Sequence, residues 1–483
     1  MRLGQTSVIH FASRFLASAS GFVATVFIGR ILGSEGLGTY YLILSVVAWL
    51  GITVKMGVTG AITKRISEEQ DDFAYVLAGI SISIILFGGI SALTLLFREY
   101  INSYLGYPAA VVVIVFLFVN LTQSMVNAVL KGQHLVHISG IFNPIRTGSR
   151  SLIQITALLA GLGLTGLFIG YTVGYLLVTV VGFWVAIRHF KNVRLPQRDH
   201  YQRLLSYAKY SWIGSFRTRA FNWVDVTILG FFVSSSVIGV YTAAWNIAVF
   251  LILFGGSVSQ TLFPEMSSLS ATKDSQVVAD LFETALAFGG LILIPGLVGG
   301  TLLGDPLLQV YGEDFSRGGT VLSVLIAATL IQGYQRQFTT TLNAIDKPNL
   351  AFRVNAVFII ANVVLNVSMI PNFGAIGAAA ATASAVAISL GVAYFTLSSL
   401  INFSIPFSEI IRQWLAAAIM GFILQIGRWF ESTYVNVGNQ ILTVFVFVGL
   451  GTMIYFITLF AISPRFRTTV IDNLPSQFTS SLV

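Results

Sequence analysis

The sequence predicts an all-α integral membrane protein of about fourteen transmembrane helices. Two six-helix lobes would be related by a pseudo-two-fold axis along the membrane normal, with two extra helices at the C-terminal end. Three observations carry this. Of the 483 residues, 55% are hydrophobic and only 10% charged, whereas a soluble domain carries roughly 25% charged residues. The apolar runs recur at lengths near twenty residues, the span of a bilayer. Short glycine-bearing turns recur about two hundred residues apart.

The spans fall at about 7–30, 38–61, 73–97, 108–130, 145–163 and 166–188 in the first half, read in windows of about twenty residues. The second half repeats them at about 206–232, 236–263, 277–302, 318–343, 351–371 and 375–399, and a last pair lies at about 409–427 and 437–461. Arginines weaken the spans at 145–163 and 318–343. The start, Met1-Arg2-Leu3-Gly4-Gln5-Thr6, leads into a run too long for a signal-peptide core and is read as a retained first span. Domain limits follow: an N-lobe over 1–190, a basic linker over 191–209, a C-lobe over 206–400, and a final pair with its tail over 401–483.

Lys64, Arg65, Lys131, Arg146, Arg188, Lys191, Arg194, Arg198, Arg203 and Lys209 fall in alternate connections, as do Lys273, Lys347, Arg353, Arg412, Arg465 and Arg467. The opposite connections hold Arg30, Arg98, Arg317 and Arg428 among acids. Positive residues stay cytoplasmic, so both termini are expected there, which also requires an even number of spans. The net charge of +8 thus sits beside membrane spans, and nucleic acid is not an expected partner.

The most distinctive polar stretch is the turn Gly29-Arg30-Ile31-Leu32-Gly33-Ser34-Glu35-Gly36-Leu37-Gly38-Thr39-Tyr40-Tyr41. Its glycines permit positive backbone dihedrals, and Arg30 and Glu35 hold it in the headgroup zone. Leu37-Gly38-Thr39-Tyr40 is echoed by Ile238-Gly239-Val240-Tyr241. A second echo relates Gly161-Leu162-Gly163-Leu164-Thr165-Gly166-Leu167 to Asn372-Phe373-Gly374-Ala375-Ile376-Gly377-Ala378. Each of this second pair joins the fifth and sixth span of its half. Repeats of this kind mark transporters.

Arg30 to Tyr40, together with Phe263-Pro264-Glu265-Met266 and the Gly-x-x-Gly turns before spans six and twelve, resemble the Wzx-like flippases of the polysaccharide-biosynthesis family. That family lies within the MOP superfamily, which includes MurJ and the MATE exporters. The resemblance implies export of a lipid-linked oligosaccharide from the cytoplasmic to the outer leaflet of the cell membrane, by alternating access of two lobes. It also implies membrane lipids and glycan-assembly enzymes as partners. Two lobes in one chain make a monomer sufficient.

Ionisable groups inside spans are costly and are functional candidates by default. Arg14 lies about halfway along the first span, and Arg217 and Arg219 lie inside the seventh, its counterpart. Cations in both leading helices would compensate a lipid pyrophosphate in a central cleft, because guanidinium forks match phosphate oxygens. The alternative for each is snorkelling or pairing within its own lobe. Arg146 and Arg150 share a face of span five, and either capture the headgroup on entry or anchor the helix at the cytoplasmic surface. Lys55 either contacts substrate or snorkels. Arg336, in the patch Gln332-Gly333-Tyr334-Gln335-Arg336-Gln337, must face the cleft or another helix. Asp225 either loads a coupling ion or proton, or pairs with a neighbouring helix.

Cysteine is absent, which removes disulfides and thiolate sites. His10, His134, His137, His189 and His200 form no metal constellation, and no phosphate-binding loop is encoded. No cofactor is expected. Trp212, Trp223, Tyr241 and Trp245 either line a sugar path or pack. A cation-coupled multidrug exporter is the nearest rival, and it would want carboxylates where this chain has arginines. A membrane glycan polymerase or ligase would need a larger external platform than the loop from Asp305 to Arg317.

Overall fold

The computed structural model describes the backbone of residues 3–68, 72–190, 193–271, 275–431, 433 and 440–473. Side chains are described there except at 3–17, 210–211, 213–218, 220, 253–265, 268–271, 275, 440 and 472–473. Among the described residues the regular structure is helical, and α1 (Leu3–Lys55) and α13 (Pro348–Ser398) stand out by length, at 53 and 51 residues. A continuous helix of that length would run about 80 Å, against a hydrocarbon core of about 30 Å. Each is therefore broken once, at Gly33 (φ 68°, ψ −174°) and at Gly374 (φ 54°, ψ −131°). The turn expected over 29–41 is confined to this one residue; both flanks stay helical.

Between the broken helices the order is α2 (Val58–Glu68), α3 (Asp72–Leu96), α4 (Arg98–Leu105), α5 (Ala110–Gly132), α6 (Val136–Leu159) and α7 (Gly163–Arg188). Then come α8 (Arg198–Phe232), α9 (Ser235–Ala271), α10 (Ser275–Gly289), α11 (Leu293–Gln309) and α12 (Gly319–Ala344). The chain closes with α14 (Phe407–Phe430), α15 (Gln440–Ile462) and α16 (Pro464–Asn473). Among the described residues, ten segments are long and apolar enough to cross a membrane, the two broken helices among them. The arginine-bearing α6 and α8 are not in that set.

Three edges differ from expectation. The second span stops at Lys55, where Met56 (φ 38°) and Gly57 (φ 77°) bend the chain into the separate α2. A Cβ on Gly57 would run into the Ala208 carbonyl of α8, so a glycine is needed there for both φ and space. The fifth span begins at Val136 rather than near 145. Arg146 is therefore not in a connection but ten residues into α6, about 15 Å along its axis. The ninth span is two helices, α10 and α11, with a step at residues 290–292.

The chain forms two compact units, Met1–Ala243 and Ala244–Val483. In the first, α7 presents Gly166, Gly170 and Gly174 to α6. Cβ atoms there would crowd Ala157, Gln154 and Arg150, the last at 2.7 Å from its Cα. Close backbone approach through small residues is how helices associate where lipid offers no hydrophobic drive. It fixes where Arg150 and Gln154 stand. In the second unit, Leu293, Ile294, Ala416, Met420, Tyr455 and Leu459 pack α11, α14 and α15 together. Gln413 Nε2 donates to the Ala287 carbonyl at 2.6 Å, and Arg428 donates to the Leu302 carbonyl. The last two apolar helices are thus bolted along α10 and α11.

Candidate functional site

Four cations gather inside the first unit. Lys55 ends α1 and donates from Nζ to Asn120 Oδ1 of α5 at 2.5 Å. Arg146 of α6 donates to Gln123 Oε1 at 3.3 Å and to Asn143 Oδ1 at 2.7 Å. Its guanidinium lies over the Tyr175 ring, 4.9 Å from the centroid, and that of Arg150 lies 6.0 Å from the Tyr171 centroid. Arg219 of α8 and Arg146 both lie within Coulombic range of Lys55.

The supports are aromatic and amide groups. Phe116, Tyr171 and Tyr175 stack at centroid separations of 4.0 and 4.4 Å. Asn120 Nδ2 donates to the Tyr171 hydroxyl at 3.3 Å. Gln154 donates to the Tyr40 hydroxyl at 2.8 Å and to the Leu167 carbonyl at 3.0 Å. Aromatic faces attract cations without cancelling their charge. All four cations are half-buried, and among the described residues none forms an ion pair with a carboxylate. The arrangement can therefore hold an anion.

The other expected residues are placed as follows. Arg14 and Arg217 lie on α1 and α8, but their side chains are outside the described residues. Arg336 is half-buried on α12, in the second unit. Asp225 is buried and accepts a hydrogen bond from the Tyr241 hydroxyl of α9 at 2.5 Å. Arg30 and Glu35 are exposed beside the break. Gly38 is buried against Ser235 and Gly239, where a Cβ would meet the Ser235 carbonyl. Of the aromatics, Tyr241 and Trp245 are buried in packing, and Trp223 leans on Tyr41 at 6.4 Å. Phe263, Pro264 and Glu265 lie outside the described side chains.

Residues 3–270, more than half of the chain, match the family described as Polysaccharide biosynthesis protein. The chain belongs to that family. It is 29% identical over 475 residues to the probable flippase AglR of Haloferax volcanii, covering 97% of this chain and 98% of that protein. To the same organism's probable low-salt glycan biosynthesis flippase Agl15 it is 27% identical, covering 98% and 99%. The fold is similar to that of the lipid II flippase MurJ in an inward closed conformation. The TM-score is 0.77 at 16% identity, over 96% of this chain and 100% of that one. This polysaccharide biosynthesis protein is a membrane transporter, not an enzyme.

Charge-based reading found the cations of this family member but missed what holds them. Asn120, Gln123, Tyr171 and Tyr175 are uncharged and sit in apolar runs, so a search for ionisable groups passes over them. One signal was available: Asn120 and Gln123 are three apart on one helix, and therefore share a face.

Proposed function

We propose that this polysaccharide biosynthesis protein flips a polyprenyl- or dolichyl-linked oligosaccharide, carried on phosphate or diphosphate. Transport runs from the cytoplasmic to the outer leaflet of the cell membrane by alternating access, with both termini cytoplasmic. Its role as a flippase in glycan biosynthesis follows from the family and its named relatives. The observation that carries the anionic cargo is the set Lys55, Arg146, Arg150 and Arg219, all half-buried, the first three held by amides and rings rather than carboxylates. A cation within a membrane costs at least about 2.5 kcal/mol, and clustering several adds repulsion. A phosphate headgroup relieves both.

Arg14, Arg217 and Arg336 are proposed as further substrate contacts. The test is glycan export in cells lacking the native protein and complemented with Lys55→Gln, Arg146→Gln or Arg219→Gln, with membrane abundance measured alongside. Lost export at normal abundance supports the reading; full export by all three variants overturns it.

A coupling role for Asp225 is proposed on its burial and its short hydrogen bond from Tyr241, because a buried carboxylate exchanges protons or cations at an energetic cost the protein can tune. Asp225→Asn should remove any dependence of export on an ion gradient. Gradient dependence that survives in this variant would assign Asp225 to packing.

A further inference from the structure

We infer that Asn120 and Gln123 set the charge selectivity of the transporter, acting as positioning residues that hold the cations without neutralising them. The inference rests on the proposed anionic cargo. Lys and Arg only donate, so each amide must turn its oxygen to the cation. Asn120 does so to Lys55 while its Nδ2 donates to the Tyr171 hydroxyl. Gln123, itself 4% exposed, does so to Arg146. A carboxylate would fill either position with the same shape and make a stronger, charge-assisted bond. It would also cancel the charge that an incoming phosphate needs.

Ion pairs are the common solution for a cation at membrane depth. Here α5 offers two acceptors three residues apart, both neutral, to two cations that repel one another. This chain uses carboxylates as partners elsewhere, as in Arg412–Glu409 and Arg203–Asp199. Inside the first unit the amides keep the site cationic and therefore receptive. Selectivity for a phosphorylated carrier over a neutral one is then a property of the acceptors as much as of the cations.

The test uses the full chain in neutral phosphatidylcholine nanodiscs, with dolichyl phosphate and dolichol as probes and native mass spectrometry as readout. Wild type should prefer dolichyl phosphate. Asn120→Asp and Gln123→Glu, isosteric changes, should each cut that preference by at least about tenfold through loss of electrostatic complementarity, leaving dolichol binding unchanged. Asn120→Ser, which keeps a neutral acceptor, should retain it, separating charge from a lost amide contact. If the acidic variants keep the preference while Lys55→Gln and Arg146→Gln lose it, the inference fails and the functional reading stands. If the Lys55 and Arg146 variants keep it too, or wild type binds both probes equally, the anionic cargo itself is overturned. Each acidic variant tests its own cation, so poor folding of one leaves the other decisive.

Discussion

Gly38 and Gly239 pack reciprocally: a Cβ on Gly38 would strike the Ser235 carbonyl, and one on Gly239 would strike the Ser34 carbonyl. Ser34 Oγ and Ser236 Oγ meet between them at 2.6 Å. Gly38 stands four residues after Ser34 and Gly239 four after Ser235, so two small-x-x-x-small faces cross at backbone contact. The echo between the turn at 29–41 and its copy about two hundred residues on is thus a physical contact within the first unit. The repeated motif packs against itself.

Gly38→Ala and Gly239→Ala should each destabilise the protein by about 1–3 kcal/mol, the cost of overpacking a site whose neighbour is backbone and cannot rotate away. The double variant should cost less than the sum, because one separation of the helices relieves both clashes. Thermal unfolding in detergent, followed by tryptophan fluorescence, measures all three. Unchanged midpoints in both single variants would mean that the crossing does not hold the unit together.

The breaks at Gly33 and Gly374 make a second prediction. Both glycines combine a positive φ with ψ of −174° and −131°, a conformation nearly confined to glycine that costs an L side chain about 1–3 kcal/mol. Gly33→Ala and Gly374→Ala should lower the unfolding midpoint accordingly. Gly88→Ala is the contrast: it lies inside α3 with open space around its would-be Cβ. Removing a helical glycine there should be neutral or stabilising by about 0.5–1 kcal/mol.

The legibility of this chain follows from its solvent. Lipid forces each backbone segment to satisfy its own hydrogen bonds, so apolar runs and helices coincide, and Gly33 and Gly374 mark where the two long helices must break. Short amphipathic helices such as α2 and α4 escaped, because eight to eleven residues leave no membrane-length run. Arg146 was misplaced for a related reason. Hydropathy pushes an arginine toward the nearest connection, whereas Gln123, Asn143 and Tyr175 together stabilise it within the helix. Gln123 and Tyr175 are supplied by packing of α6 against α5 and α7, which no local window contains.

The start of α14 carries a third prediction. Glu409 is buried, forms an ion pair with Arg412 and accepts from Ser463 Oγ at 2.6 Å. That same serine oxygen accepts from the Phe466 backbone N–H at 3.0 Å, so one carboxylate ties α14 to the turn between α15 and α16. Glu409→Ala should lower stability by about 1–3 kcal/mol by leaving buried polar groups without partners. Ser463→Ala should show a coupling with it in a double-mutant cycle. Additive effects of the two changes would sink the argument that they act as one fastening.

Arg146 supports the most exacting prediction about transport. Its guanidinium reaches Gln123 and Asn143 through different nitrogens while lying over Tyr175. A lysine has the charge but neither the fork nor the flat face. Export by Arg146→Lys should therefore fall well below wild type at equal membrane abundance, although the net charge of the site is unchanged. Arg14→Ala and Arg217→Ala, on the leading helix of each expected lobe, should abolish export by removing charge outright. Full export by Arg146→Lys alongside none by Arg146→Gln would reduce the role of this residue to a point charge. Phosphate capture would then depend on how many cations the site holds rather than on how the amides and rings orient them.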